Sequence, residues 1–144
     1  MIVEVSAIGR EVECSVLGNE APEASEPGEI VAHADWYDYE AKYSEGGMEL
    51  VVPAPLEQPT LDRVRELATT VFGLVGCSGM ARCDFFVTEA GDVLVNEINT
   101  IPGFTETSVY AKLFEATAIS YPVLCDRLLQ LALERHRRAR GYEY

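Results

Sequence analysis

MARCDFFVTEAGDVLVNEIN, residues 80–99, decides how this chain is read. Two runs rich in Val, Phe, Leu and Ile flank Glu89-Ala90-Gly91-Asp92, and Gly91 can supply the positive φ of a tight turn, so the stretch predicts a β-hairpin. A loop of either two or four residues gives one register: Thr88 opposite Val93, Phe86 opposite Val95, Asp84 opposite Glu97 and Arg82 opposite Asn99. Opposed residues of an antiparallel pair share a face, with Cβ atoms about 4.5 to 5.5 Å apart. Two carboxylates therefore confront each other, which weakens a sheet unless positive charge lies between them.

Asp, Glu and Asn offer only oxygen ligands, the donor set of a hard divalent cation such as Mg²⁺. Asp84, Glu97 and Asn99 are thus candidate metal ligands. Arg82, on the same face, carries a fixed charge and a fork suited to phosphate or a developing oxyanion. The plainer alternative is a solvated face whose acids repel weakly in water.

The chain has 144 residues, the size of one domain, with a net charge of -13 and a pI near 4.4. That balance argues against nucleic acid or an anionic membrane as partner. Cys14, Cys77, Cys83 and Cys125 form no CxxC pair and read as reduced, packed thiols. No signal-peptide pattern and no apolar run of about 18 residues is present. A soluble, cytoplasmic protein is expected.

In chain order, Ile2 to Ala7 and Glu11 to Leu17 read as strands joined by a turn at Gly9, the second alternating Val12, Cys14 and Val16 with Glu11, Glu13 and Ser15. The chain enters its first strand at once, which suggests a cut inside a longer protein. Residues 18–27 form a turn-rich connection, and Gly28 to His33 a further strand. Trp36 to Tyr43, followed by Gly46-Gly47, reads as a surface loop that closes over a ligand, with Lys42 as its cation. Leu50 to Pro53 reads as a strand. Thr60 is expected to cap a helix to Val75, with Leu61, Val64, Leu67, Ala68, Val71, Phe72 and Val75 on its apolar face and Gly76 ending it. Ser108 is placed to cap a second helix, 109–117, and Pro122 to open a third, 122–140. Arg135 to Arg140 complement that helix's dipole.

YDYEAKY at 37–43, ARCDFF at 81–86 and NEINTIPGFTETS at 96–108, together with VEVSAIGREVE at 3–13, closely resemble D-alanine-D-alanine ligases of the ATP-grasp fold. Three motifs in the right order at matching spacing make chance an untenable source. The resemblance covers nearly the whole chain but only that family's carboxy-terminal part. It implies one domain, 1–144, an α+β ATP-grasp carboxy-terminal domain, with a largely antiparallel sheet and all three helices packed on one side.

The resemblance also implies chemistry. The parent would phosphorylate one D-alanine carboxylate with ATP, and the amine of a second D-alanine would attack the acyl phosphate, supplying peptidoglycan precursors. Asp84, Glu97 and Asn99 would hold two Mg²⁺ ions, with Mn²⁺ as a substitute. Arg82 and the Gly103 N–H would stabilise developing charge. Glu4 and the Ala7 backbone would face adenine, Glu11 the ribose hydroxyls, and Lys42 the phosphates. Ser108 and the Val109 N–H would hold the acceptor carboxylate, and Tyr43 would orient the second D-alanine. ATP, D-alanine and the missing amino-terminal part are the expected partners, and the parent is expected to be a homodimer. The rival readings are D-alanine-D-lactate ligation and a non-catalytic nucleotide- or metal-binding module.

Overall fold

The computed structural model describes residues 6–32 and 48–141. The 36–49 loop, with Lys42 and Tyr43, therefore falls almost wholly outside them, as does Glu4. Among the described residues six strands form one antiparallel sheet: β1 (Arg10–Gly18), β2 (Glu23–Ala24), β3 (Gly28–Ala32), β4 (Met48–Val51), β5 (Gly79–Val87) and β6 (Val93–Asn99), in the order β4-β3-β1-β5-β6, with β2 beside β1. Three helices among the same residues complete it: α1 (Gln58–Leu74), α2 (Val109–Glu115) and α3 (Tyr121–Arg140). The architecture is the expected α+β one. Ser6 and Ala7 carry no strand, so the first expected strand is absent over its described end.

The alternation along β1 sorts the molecule. Val12, Cys14 and Val16 face α1, where Leu61, Val64, Ala68 and Phe72 close over them together with Ala81, Cys83, Phe85 and Val87 of β5. Leu17 points the other way and packs with Tyr110, Ala111, Phe114 and Leu124 of α2 and α3. Helices thus cover both faces of the sheet, not one side. A helical stripe says that a helix is buried, but not against which face of a sheet.

Two helix ends also differ from expectation. Glu57, not Thr60, is the N-cap of α1, because Pro59 lacks an N–H and fits the first turn, where none is needed. At the other end Gly76 adopts φ +70°, and the Cys77 and Gly76 N–H groups donate to the carbonyls of Phe72 and Gly73, a Schellman closure. Ser108 occupies the N-cap position of α2, but its side chain makes no cap hydrogen bond. Its hydroxyl instead donates to the Thr105 carbonyl at 2.7 Å.

Candidate functional site

The hairpin brings its polar residues together by a route the sequence does not announce. Thr88 donates its N–H to the Asp92 carbonyl, so the loop holds three residues, 89–91, with Gly91 at φ +87°. An odd loop shifts the register by one: Phe86 pairs with Leu94 and Val87 with Val93, against the expected partners Val95 for Phe86 and Val93 for Thr88. A bulge between Asp84 and Phe85, with Asn96 as the extra residue on β6, shifts it back. Asp84 therefore does face Glu97, and Arg82 faces Asn99. The same bulge lets Val93 and Ile98, five residues apart, both pack on the α1 side.

Pairing of β1 with β5 extends these pairs into rows: Glu13-Asp84-Glu97 and, beside it, Ser15-Arg82-Asn99. All six lie on the sheet face opposite α1. Gly28, next to Glu13 in register, leaves space for Leu113 of α2, whose Cδ2 would lie 2.6 Å from an added Cβ. Helix α2 covers this end of the face, while Glu97 at the β6 edge stays exposed.

Glu13 was not singled out by its sequence. Its alternation with Val12 and Cys14 marks only the non-core face; that this face meets Asp84 and Arg82 depends on β5 lying beside β1, a pairing between distant segments. The available signal was its placement two residues from Glu11. Glu13 is 7% exposed and Asp84 4%. Arg82 clamps Asp84 with Nε and Nη2, each at 2.8 Å, and its Nε lies 3.1 Å from Glu13 Oε2. Burial pushes the Glu13 carboxyl up to about 7; Arg82 opposes this, while Asp84, Glu11 and Glu97 add to it. The hydrogen bonds to Asp84 raise the Arg82 guanidinium further above its ordinary range.

The remaining candidates spread around this centre. Glu11 lies one step along β1 from Glu13 on the same face and is exposed; Ala7 is exposed before the strand. Asn99 Oδ1 accepts the Ile101 N–H at 3.0 Å, which shapes the exit from β6. Gly103 backs onto Ser108, with 3.9 Å from an added Cβ to the Ser108 Cβ, and Val109 opens α2.

Among the described residues no three acidic, histidine or cysteine side chains converge into a metal cage. Two carboxylates and an amide are instead the sparse oxygen set that suits Mg²⁺, which keeps waters and takes substrate phosphates as further ligands. The residues fit such an ion once Arg82 yields an Asp84 oxygen.

This antiparallel sheet, with helices on both faces and two acids, an amide and an arginine in register, has the architecture of an α+β ATP-grasp carboxy-terminal domain. The chain belongs to the family described as D-ala D-ala ligase C-terminus, which matches residues 1–130. A D-alanine-D-alanine ligase of Oceanobacillus iheyensis is 48% identical over 139 residues, 96% of this chain and 38% of that protein. The solved D-alanine-D-alanine ligase of Coxiella burnetii has a TM-score of 0.83 at 44% identity, over 96% of this chain and 36% of its own. A Bacillus anthracis D-alanine-D-alanine ligase complexed with ATP shares the fold, with a TM-score of 0.76 at 24% identity over 93% of this chain and 41% of its own. The chain thus spans less than two fifths of the curated relative it matches.

Proposed function

We propose that this chain is the carboxy-terminal part of an ATP-dependent ligase that joins two D-alanines through an acyl phosphate, for peptidoglycan precursors. The observation that carries the reading is the paired register, Asp84 with Glu97 and Arg82 with Asn99, in a chain of this family. Asp84, Glu97 and Asn99 would hold Mg²⁺, whose charge offsets that of the ATP phosphates. Arg82 donates toward the oxyanion that develops at the reacting carboxyl, and the Gly103 N–H is a second donor. Ser108 and the Val109 N–H hold the acceptor carboxylate. Glu11 accepts from the ribose hydroxyls, Ala7 and Glu4 flank adenine, Lys42 neutralises phosphate and Tyr43 orients the acceptor.

A cytoplasmic setting accords with four free cysteines, since thiols persist in reducing compartments. Among the described residues no helix is long and apolar enough to cross a membrane. A homodimeric parent belongs to the same proposal.

ADP release and D-alanyl-D-alanine formation by the longer protein, with and without Glu97→Gln, test the reading. The substitution keeps an oxygen donor but removes one negative charge from the cation site, and should lower turnover at least about 100-fold, the scale of losing one group that stabilises transition-state charge. Undiminished turnover would overturn the assignment. The 144-residue chain alone should give no turnover, because it spans 38% of the length of the Oceanobacillus iheyensis relative and catalysis of this kind needs every reacting group held in attack geometry.

A further inference from the structure

Arg82 occupies both oxygens of Asp84, through Nε on Oδ1 and Nη2 on Oδ2. A divalent cation at Asp84 needs at least one of those oxygens, and the guanidinium adds a like charge where the cation would sit. Glu13 is the other buried carboxylate among the described residues. Its Oε2 is 3.1 Å from Arg82 Nε, yet it is buried with no hydrogen-bond partner. The ion pair lacks hydrogen-bond geometry because the Nε–H goes to Asp84, so a better-aimed donor would stabilise the Glu13 carboxylate. Strand β1, paired on both sides, holds it in place.

We propose that Glu13 is a positioning residue: it receives the Arg82 guanidinium when a divalent cation takes Asp84, so the two carboxylates are alternative seats for one arginine. The inference rests on the reading of Asp84, Glu97 and Asn99 as cation ligands. No covalent bond forms or breaks. Arg82 keeps its charge, Asp84 releases a lone pair, and Glu13 gains the hydrogen bond it lacks. The arginine stays on the site face throughout, beside Asn99.

Mn²⁺ titrated into the chain without nucleotide, with free ion read by electron paramagnetic resonance, tests this independently of activity. Glu13→Gln should weaken Mn²⁺ binding about tenfold, the scale of one charge-assisted hydrogen bond. Arg82→Ala should bind at least as tightly as the unsubstituted chain. Adding Glu13→Gln to Arg82→Ala should then change affinity by less than about twofold, because the cycle removes the interaction through which Glu13 acts. Equal affinity in Glu13→Gln and the unsubstituted chain overturns the inference. So does a tenfold loss that persists without Arg82, which would make Glu13 a direct ligand or a mere negative charge. Failure of the unsubstituted chain to bind Mn²⁺ overturns the cation site itself, and this inference with it. Circular dichroism checks folding; if Glu13→Gln does not fold, Glu13→Asp carries the same cycle, with a loss of about threefold that vanishes without Arg82.

Discussion

The two faces of the β1-β5 pair are built from the same eighteen-residue ladder and do opposite work. On one, Val12, Cys14, Val16, Cys83 and Phe85 are fully buried beneath α1. On the other, one arginine and two buried acids share a small polar cluster, with a third acid at the edge. The apolar face gains from every atom it removes from water, whereas the polar face must offset desolvation with a few directed contacts. Stability should therefore reside on the α1 side, and chemistry on the other.

Phe85→Ala is the strongest way to test that division. It empties a fully buried site at the centre of the α1 core and should cost about 3 to 5 kcal/mol in urea unfolding. A loss below about 1 kcal/mol would show that this face is not where the fold is held.

The polar face should betray itself through pH. Burial pushes the Glu13 carboxyl from its ordinary 4.5 up to about 7, so between those values the folded chain binds more protons than the unfolded one. Stability from this group is present at low pH and lost as pH rises from about 4.5 through 7. Compared with Glu13→Gln in chelator, the unsubstituted chain should lose about 2 to 3 kcal/mol more between pH 5 and pH 8. Matching pH profiles for the two proteins would place Glu13 in an ordinary environment.

Legibility follows the same division. The stripe of α1 is readable because it is local, and Leu61, Val64, Ala68 and Phe72 are indeed buried, whereas Val75, at the C-cap past the last turn, is exposed. The confrontation of Asp84 with Glu97 is legible as well, although the loop is odd where the sequence suggests an even one. The three-residue loop and the Asn96 bulge are two one-residue shifts that cancel. What stayed hidden was Glu13, because strand period gives a face but not the neighbouring strand. The same limit hid the split of the helices over two faces. The two residues of β2, within the turn-rich 18–27 connection, are too few to show any period.

The covering helices extend the comparison on a smaller scale. On the core side, Gly76 closes α1 at φ +70°, a conformation that a side chain strains, with no atom within 4 Å to obstruct an added Cβ. Gly76→Ala should thus cost about 1 kcal/mol through backbone strain alone. A neutral result in thermal unfolding would mean that the Schellman closure contributes little.

Ser108→Ala, on the site side, should have the smallest effect on the fold. A serine that caps a helix contributes about 1 kcal/mol by accepting from the N2 or N3 N–H. Ser108 does neither: its hydroxyl donates to the Thr105 carbonyl and accepts the Thr105 N–H at 3.3 Å, inside an exposed loop. Water can replace exposed bonds of that kind at little net cost. Urea unfolding of Ser108→Ala should therefore show a loss below about 0.5 kcal/mol. In the longer protein, on the function proposed above, the same substitution should raise the KM for the acceptor D-alanine, since the hydroxyl can exchange its exposed bonds to Thr105 for a carboxylate at the α2 start. A stability loss of about 1 kcal/mol or more with an unchanged KM would return Ser108 to the role of a plain cap, and the site face would lose its acceptor end.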